Sequence, residues 1–321
     1  MPPHIYTEGL PEAPTPVPAW GTLPLDIYLL EQWESPNPDT PNESPDQRRK
    51  RLVSQWLKLG TIGREPYYDR TRKESQSYSP AHPTQHQIDM ILRPLRPESL
   101  RRYAAGYRGW AGAEGMWIRT RYGPDSEDAH RALWDKYVEI CQVVGPESLI
   151  LDDQELFGHG DGGDGDAAVA RVLELFPERV ANYCVPEDVE AREAELAWFL
   201  REMHEYDEGD DDDAEVCPQR DGDLSAEEEM CERYWMYHAA CVVTHVFIED
   251  REAQEGKGVL HVFLDDCGNV VRRMRVDSTQ VDNFDGAWFE GSWKEGWVEL
   301  GAGELGMAYL PGGVRGPPYT L

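Results

Sequence analysis

The sequence predicts an α+β protein. Its compact acidic body holds a βαβ unit, two further helices and a C-terminal antiparallel β region, and an extended Pro-rich N-terminal arm precedes it. Three observations carry this. Apolar residues recur at helical spacing over 125–141, 167–176 and 186–203, whereas from Cys241 onward the texture is β-branched. Prolines crowd residues 1–46, at 2, 3, 11, 14, 16, 18, 24, 36, 38, 41 and 45, and each removes a backbone donor. Charge is divided along the chain: residues 1–124 hold 16 Lys+Arg against 14 Asp+Glu, and 125–321 hold 15 against 47.

Taken in order, residues 1–46 read as a flexible arm, in which Trp20 and Leu25–Trp33 form a short anchor for docking. Residues 47–114 read as a basic, partly helical linker region. Arg48-Arg49-Lys50-Arg51 runs there into Leu52, Val53, Trp56, Leu57 and Leu59, an amphipathic helix. Residues 60–86 have loop composition; Ile88–Leu92 starts a helix that Pro94 and Pro97 cut short, and Pro97 starts another turn. The acidic body spans 115–310. Met116–Tyr122 alternates as a strand, and Asp125 caps a helix with Ala129, Leu133, Tyr137, Ile140 and Cys141 on one face. Leu149–Leu151 returns as a strand, completing the βαβ unit.

Two further helices turn Val169, Val172, Leu173 and Phe176, then Val189, Leu196, Phe199, Leu200 and Met203, inward. The acidic loop 207–224 repels itself and is expected to be disordered. Cys241–Ile248, Val259–Leu264 and Val270–Val276 are strands, the last two a hairpin through Asp265–Asn269. Ala287–Glu290, Trp297–Leu300 and Met307–Leu310 are shorter strand candidates, and 311–321 is a tail.

The strand Gly115–Tyr122 and the acidic helix start with Trp134 form part of a wider pattern. Leu149-Ile150-Leu151-Asp152-Asp153 before a helix ending at Phe176 continues it, as does Arg233-Tyr234-Trp235-Met236-Tyr237 before a strand. Over 115–250 this pattern resembles a group of uncharacterised filamentous-fungal intracellular proteins. The resemblance implies an intracellular α+β protein and assigns no residue a function.

The net −32 of 125–321 excludes some functions. Such a region repels phosphate backbones and anionic membrane surfaces and attracts basic proteins or divalent cations. No apolar run reaches the roughly 18 residues a membrane span needs. Met1–Glu8 lacks the basic flank and apolar core of a secretion signal, and six scattered cysteines read as free thiols, so cytoplasm or nucleus is expected.

Two glycine runs match the dinucleotide fingerprint in letters. Gly301–Gly306 is followed too soon by Pro311, and Gly158–Gly163 would set Asp161, Asp164 and Asp166 against a pyrophosphate; both read as turns. The second run, lacking the spaced ligands of a calcium loop, reads as a solvated loop with Asp166 capping the next helix. Arg48–Arg51 has the composition of an import signal or phosphate contact. With Tyr67, Tyr68, Tyr78, Tyr103 and Tyr107 nearby, the 48–108 region has some capacity for single-stranded nucleic acid. Pairing of this basic region with the chain's own acidic surface is the favoured reading. Trp288, Trp293 and Trp297, like Trp117, Trp134, Trp198 and Trp235, read as core rather than as a sugar-stacking platform.

The remaining constellation is Cys231, His238, Cys241 and His245. On one helix, His238 and His245 stand about 10 Å apart. On a strand, only Cys241 and His245 share a face, about 13 Å apart. A metal would need ligands from elsewhere, such as His261 or Cys267, so no metal and no cofactor is expected. No G-x-S-x-G and no P-loop is present. The expected function is that of a non-enzymatic interaction or accessory protein whose acidic body engages a basic partner. The alternative is an enzyme, metal-dependent in one version, with its site near His238, Cys241 and His245.

Overall fold

The computed structural model describes residues 17–35, 42–71, 82–101, 104, 116–140, 150–158, 165–180, 194, 196–198, 201, 234–281, 288 and 303–316. Its centre is a six-stranded mixed sheet. The strands are β1 (Met116–Arg119), β2 (Ile150–Leu151), β3 (Val242–Glu249), β4 (Val259–Asp265), β5 (Val270–Val276) and β6 (Glu304–Leu305), in spatial order β2-β1-β3-β4-β5-β6. β1 runs parallel to both β2 and β3, and the remaining pairs are antiparallel. The expected βαβ unit is present as β1, α5 (Ser126–Ile140) and β2, and the β4–β5 hairpin forms at the expected turn.

Strand alternation gives the sheet two apolar faces. Met116, Ile118, Val246, Ile248, Leu260 and Val262 point to one, which α7 (Gly165–Leu175) covers with Val169, Val172 and Leu173. Trp117, Phe247, Val259 and Phe263 point to the other, against Leu133 and Tyr137 of α5 and Ala239 of α8 (Trp235–Cys241). Leu133 and Tyr137 of the expected face of α5 thus pack inward as their spacing requires, Ala129 is half-buried, and Cys141 lies outside the described residues. Trp117 and Trp134 are in or against this core, and Trp288 packs on it. Trp198, expected inside, is instead 49% exposed, because Leu196 takes the inward direction two residues earlier.

A third core lies in the N-terminal helices α1 (Pro24–Gln32), α2 (Pro45–Lys58), α3 (Gly60–Thr71) and α4, which runs through Gln85–Gln87, a π-helical turn Ile88–Leu92 and Arg93–Leu95. Leu25, Tyr28, Leu29, Trp33, Leu52, Trp56, Ile91 and Leu92 build it. The anchor Leu25–Trp33 is therefore a buried helix, which Pro24 starts at its first position, where no N–H is required. For residues 17–35 this replaces the expected extended arm; 1–16, 36–41 and the acidic loop 207–224 lie outside the described residues.

The loop expected over 60–86 is corrected over 60–71, where α3 forms despite Pro66 in its interior. Tertiary contacts override composition. Gly60, at φ +63, turns the chain out of α2, and Asp266 Oδ2 accepts the Thr61 N–H at 2.9 Å. Arg64, wholly buried, donates to the carbonyls of Val180 and Asp266 at 3.1 and 2.5 Å.

Two more buried arginines tie these helices together and to the body. Arg96 makes a two-pronged pair with Glu178 at 2.8 and 2.9 Å and also donates to Leu175 O. Arg101 grips Asp26 at 2.6 and 3.1 Å while its guanidinium lies 4.0 Å over the Trp20 ring. The planar fork of arginine suits such pairs, since both prongs are satisfied at once.

Candidate functional site: a buried polar stripe on one sheet face

The face that carries Trp117 and Phe247 also carries a row of ionisable side chains. Alternation places Arg119 on β1, His245 and Glu249 on β3, His261 and Asp265 on β4, and Arg272 on β5 on this side, all of them buried. Registers interleave them with aromatics: His245 opposes Phe263, Phe247 opposes His261, and Phe263 opposes Arg272. Ionisable groups at this density in a sheet core require partners, and the structure supplies them.

At the carboxyl ends of the parallel strands, Glu249 is the hub. Its Oε2 lies 2.7 Å from His130 Nδ1 and accepts Trp117 Nε1–H at 3.1 Å, while Oε1 accepts from Gln254 at 2.9 Å. His130 reaches inward because it lies on α5 one turn before Leu133 and two before Tyr137. Beside it, Arg119 contacts Glu127 at 3.0 Å, Asp152 at 3.2 Å and Ser126 Oγ at 3.1 Å. Burial opposes the charge on Arg119, yet Asp152 and Glu127 more than offset it, and the guanidinium pKa rises. Ligands of open sheets with parallel strands gather at this edge, beyond the strands' carboxyl ends.

Midway along the stripe, His245 Nδ1 and His261 Nε2 are 2.8 Å apart, and the His245 ring stacks on Trp288 at 4.5 Å. Burial, then the neighbouring His245, drives the His261 pKa well below its usual value. At the far end His238 Nδ1 lies 3.4 Å from Arg272, and its ring meets Tyr309 edge-on at 5.6 Å. Burial and then the Arg272 charge push the His238 pKa down to about 3. The Tyr309 hydroxyl donates to Asp265 at 2.9 Å, and burial first, then Cys241 and Asp265, raises its pKa well above the usual phenol. Arg315 closes this end with Asp265 at 3.6 Å and the Cys267 thiol at 3.0 Å.

The trio His238, Cys241 and His245 does not converge. His238 and Cys241 belong to α8, and the chain becomes a strand at Val242. A register shift between Val242 and Thr244 then reverses the simple alternation: Val243 joins the α7 side, while Cys241 and Val242 face the α5 side. His245 finds His261, and His238 finds Arg272. Among the described residues, no group of three or more His, Cys, Asp or Glu is placed to hold a metal ion. Cys231 lies outside the described residues.

The other sequence candidates resolve as follows. Glu304-Leu305 of the Gly301–Gly306 run forms edge strand β6 rather than a turn, and Met307–Leu310, expected as a strand, is a turn. The reason is close packing: a Cβ on Gly306 would stand 1.9 Å from Val270 O, so glycine lets this segment reach β5. In the Gly158–Gly163 run only Gly158 is described; Asp166 is not a cap but sits in the first turn of α7, 3.2 Å from Arg273. Trp293 and Trp297 lie outside the described residues.

The basic cluster is engaged locally. Arg48 donates to Trp33 O at 2.9 Å, Arg49 to Met90 O at 2.7 Å, Arg51 pairs with Glu43 at 2.9 Å, and Lys50 faces Glu174 of α7 at 3.6 Å. Only the last of these pairs reaches the acidic body.

Sequence reasoning missed Arg119, His130, Glu249 and Arg272. The signal was partial: Glu249 ends a strand that is apolar apart from Thr244 and His245, whereas Arg272 is one of three arginines in β5 and nothing local singles it out. The fold is thus α+β, with no helix among the described residues long and apolar enough to cross a membrane. No family model, no curated protein and no solved structure matches this chain.

Proposed function

We propose that the protein is a non-enzymatic interaction or accessory protein that uses its acidic charge to hold a basic protein partner in the cytoplasm or nucleus. The observation that carries this reading is where the charge resides. Residues 125–321 hold 47 Asp+Glu against 15 Lys+Arg, whereas residues 1–124 are nearly balanced. Arginines 119, 272, 273 and 275 of the sheet, and Arg315 of the loop after β6, are engaged internally. Asp125, Asp128 and Asp135 of the α5 region form no ion pair among the described residues. With 61 Asp+Glu against 31 Lys+Arg in the whole chain, internal pairing leaves a surplus of 30 carboxylates, which attracts an external cation. Local engagement of Arg48, Arg49 and Arg51 argues against nucleic acid as that partner.

The test is titration of the full chain with a histone-like polycation and with duplex DNA at low and physiological salt. Submicromolar polycation binding that weakens steeply with salt is expected, with no DNA binding. DNA binding at physiological salt, or a polycation interaction indifferent to salt, overturns the reading.

A second reading, an enzyme, is favoured by one observation: buried histidines paired at 2.7 Å with Glu249 and at 2.8 Å with each other lie along one sheet face. A carboxylate fixing one ring nitrogen of a histidine is the arrangement that orients a general base. In this reading the site moves from the His238, Cys241 and His245 trio to His130 and the His245–His261 pair.

A further inference from the structure

Between α7 and the sheet edge lies a groove of about 530 Å³. Its floor is apolar, built by Val169 and Leu173 of α7, Val270 of β5 and Leu305 of β6. Asp166 and Glu304 stand exposed at the rim, both reaching Arg273, at 3.2 and 2.9 Å. Among the described residues that line the groove, two carboxylates meet one guanidinium.

The loop after β6 forms the outer wall, and it is pinned. Gly306 N–H donates to Val271 O at 3.0 Å, Arg315 N–H to Ala308 O at 2.8 Å, and Tyr309 is tied to Asp265. From this loop Met307 projects into solvent at 79% exposure and Val314 at 85%. Met307, held outward by a fixed loop on the wall of an apolar groove, extends that groove's apolar surface into solvent, where a partner's side chain can cover it. A second copy of the chain is a poor candidate for the cover, because each carries a net charge of −30 and repels its like.

We propose that this groove docks a basic segment of a partner protein. One apolar side chain seats between Met307 and the groove floor, and flanking Lys or Arg lie against Asp166 and Glu304. The apolar anchor supplies the affinity and the rim charges select the partner. This rests on the reading of the protein as a binder of basic partners and gives that reading a place.

The experiment uses the full chain and two short fluorescein-labelled peptides of equal charge, one alternating Lys with Leu and the other Lys with Ser. Burying one leucine is worth about 1.5–3 kcal/mol, so the Lys/Leu peptide is expected to bind at least about ten-fold more tightly. Met307→Asp adds a carboxylate, so charge attraction alone can only rise. It is nevertheless expected to abolish the Lys/Leu advantage while leaving Lys/Ser binding unchanged or stronger. Ala170→Gln, at an exposed position lining the groove, narrows it without altering charge and is expected to act in the same direction. Equal affinity for the two peptides, or a Lys/Leu advantage that survives both variants, overturns the groove and leaves the basic-partner reading intact. Absence of salt-dependent binding by either peptide removes that reading and the groove with it. Sedimentation showing a dimer that Met307→Asp dissolves would assign the surface to a second copy and overturn the proposal.

Discussion

His130 Nδ1 lies 2.7 Å from Glu249 Oε2, and both side chains are buried although 119 residues separate them. Glu249 also accepts from Trp117 and Gln254, so one carboxylate joins α5, β1, β3 and the turn after β3. Removing it takes an acceptor from the buried Trp117 and His130 and from the half-buried Gln254.

Glu249→Ala is therefore expected to destabilise the protein by about 2 kcal/mol or more, since each of the two buried groups that loses its acceptor costs about 1–3 kcal/mol. His130→Ala leaves the other two bonds in place and is expected to cost less. Urea unfolding of both variants checks the order. A Glu249→Ala loss below about 1 kcal/mol would show that the hub is not formed.

The Arg96–Glu178 pair joins the N-terminal helices to the segment after α7 with essentially no solvent exposure. Arg96→Ala abandons a buried carboxylate and is expected to cost about 3–5 kcal/mol. The double variant Arg96→Met with Glu178→Met removes both charges and should recover much of that loss. Equal losses in the two variants, measured by thermal or urea unfolding, would place the pair in solvent rather than in the core.

Stability should fall in mild acid. The unfolded chain protonates His238 near its usual 6.5, whereas the folded protein resists until about 3. A depressed histidine pKa means the unfolded state binds more protons below 6.5, so stability is complete above that pH and declines as pH falls. The slope is about 1.4 kcal/mol per pH unit for His238, and His261, shifted in the same direction, adds to it. Denaturation midpoints between pH 7 and 4 measure this, and His238→Gln should flatten the slope by about one histidine's share. A profile flat down to pH 4 would contradict the burial of these rings.

Purified protein is expected to carry no stoichiometric zinc or iron, because His238 and His245 are directed to separate partners and Cys241 stands on a different element from His245. Elemental analysis is the check. About one metal per chain, lost in His245→Ala, would promote the enzyme reading and centre it on His245 and His261.

How much of this was legible in the sequence depends on the range of the forces involved. The βαβ unit, the β4–β5 hairpin, the amphipathic α2 and the inward faces of α5 and α7 follow from hydrophobic spacing, which acts within a few residues. The sequence also determined the charge division, since that needs no coordinates. Tertiary structure alone decided the rest. α3 forms in a stretch of loop composition because Asp266, 205 residues away, caps it and Arg64 plugs into distant carbonyls. The pairing of β3 with β4 sets His245 beside His261, and no local pattern encodes that register or the shift between Val242 and Thr244. The Glu249 hub and the Arg96–Glu178 and Arg101–Asp26 pairs are long-range and satisfied only in the fold. A buried charge chooses whichever partner the packed chain brings within about 3 Å, and that choice is a property of the packed chain rather than of local sequence.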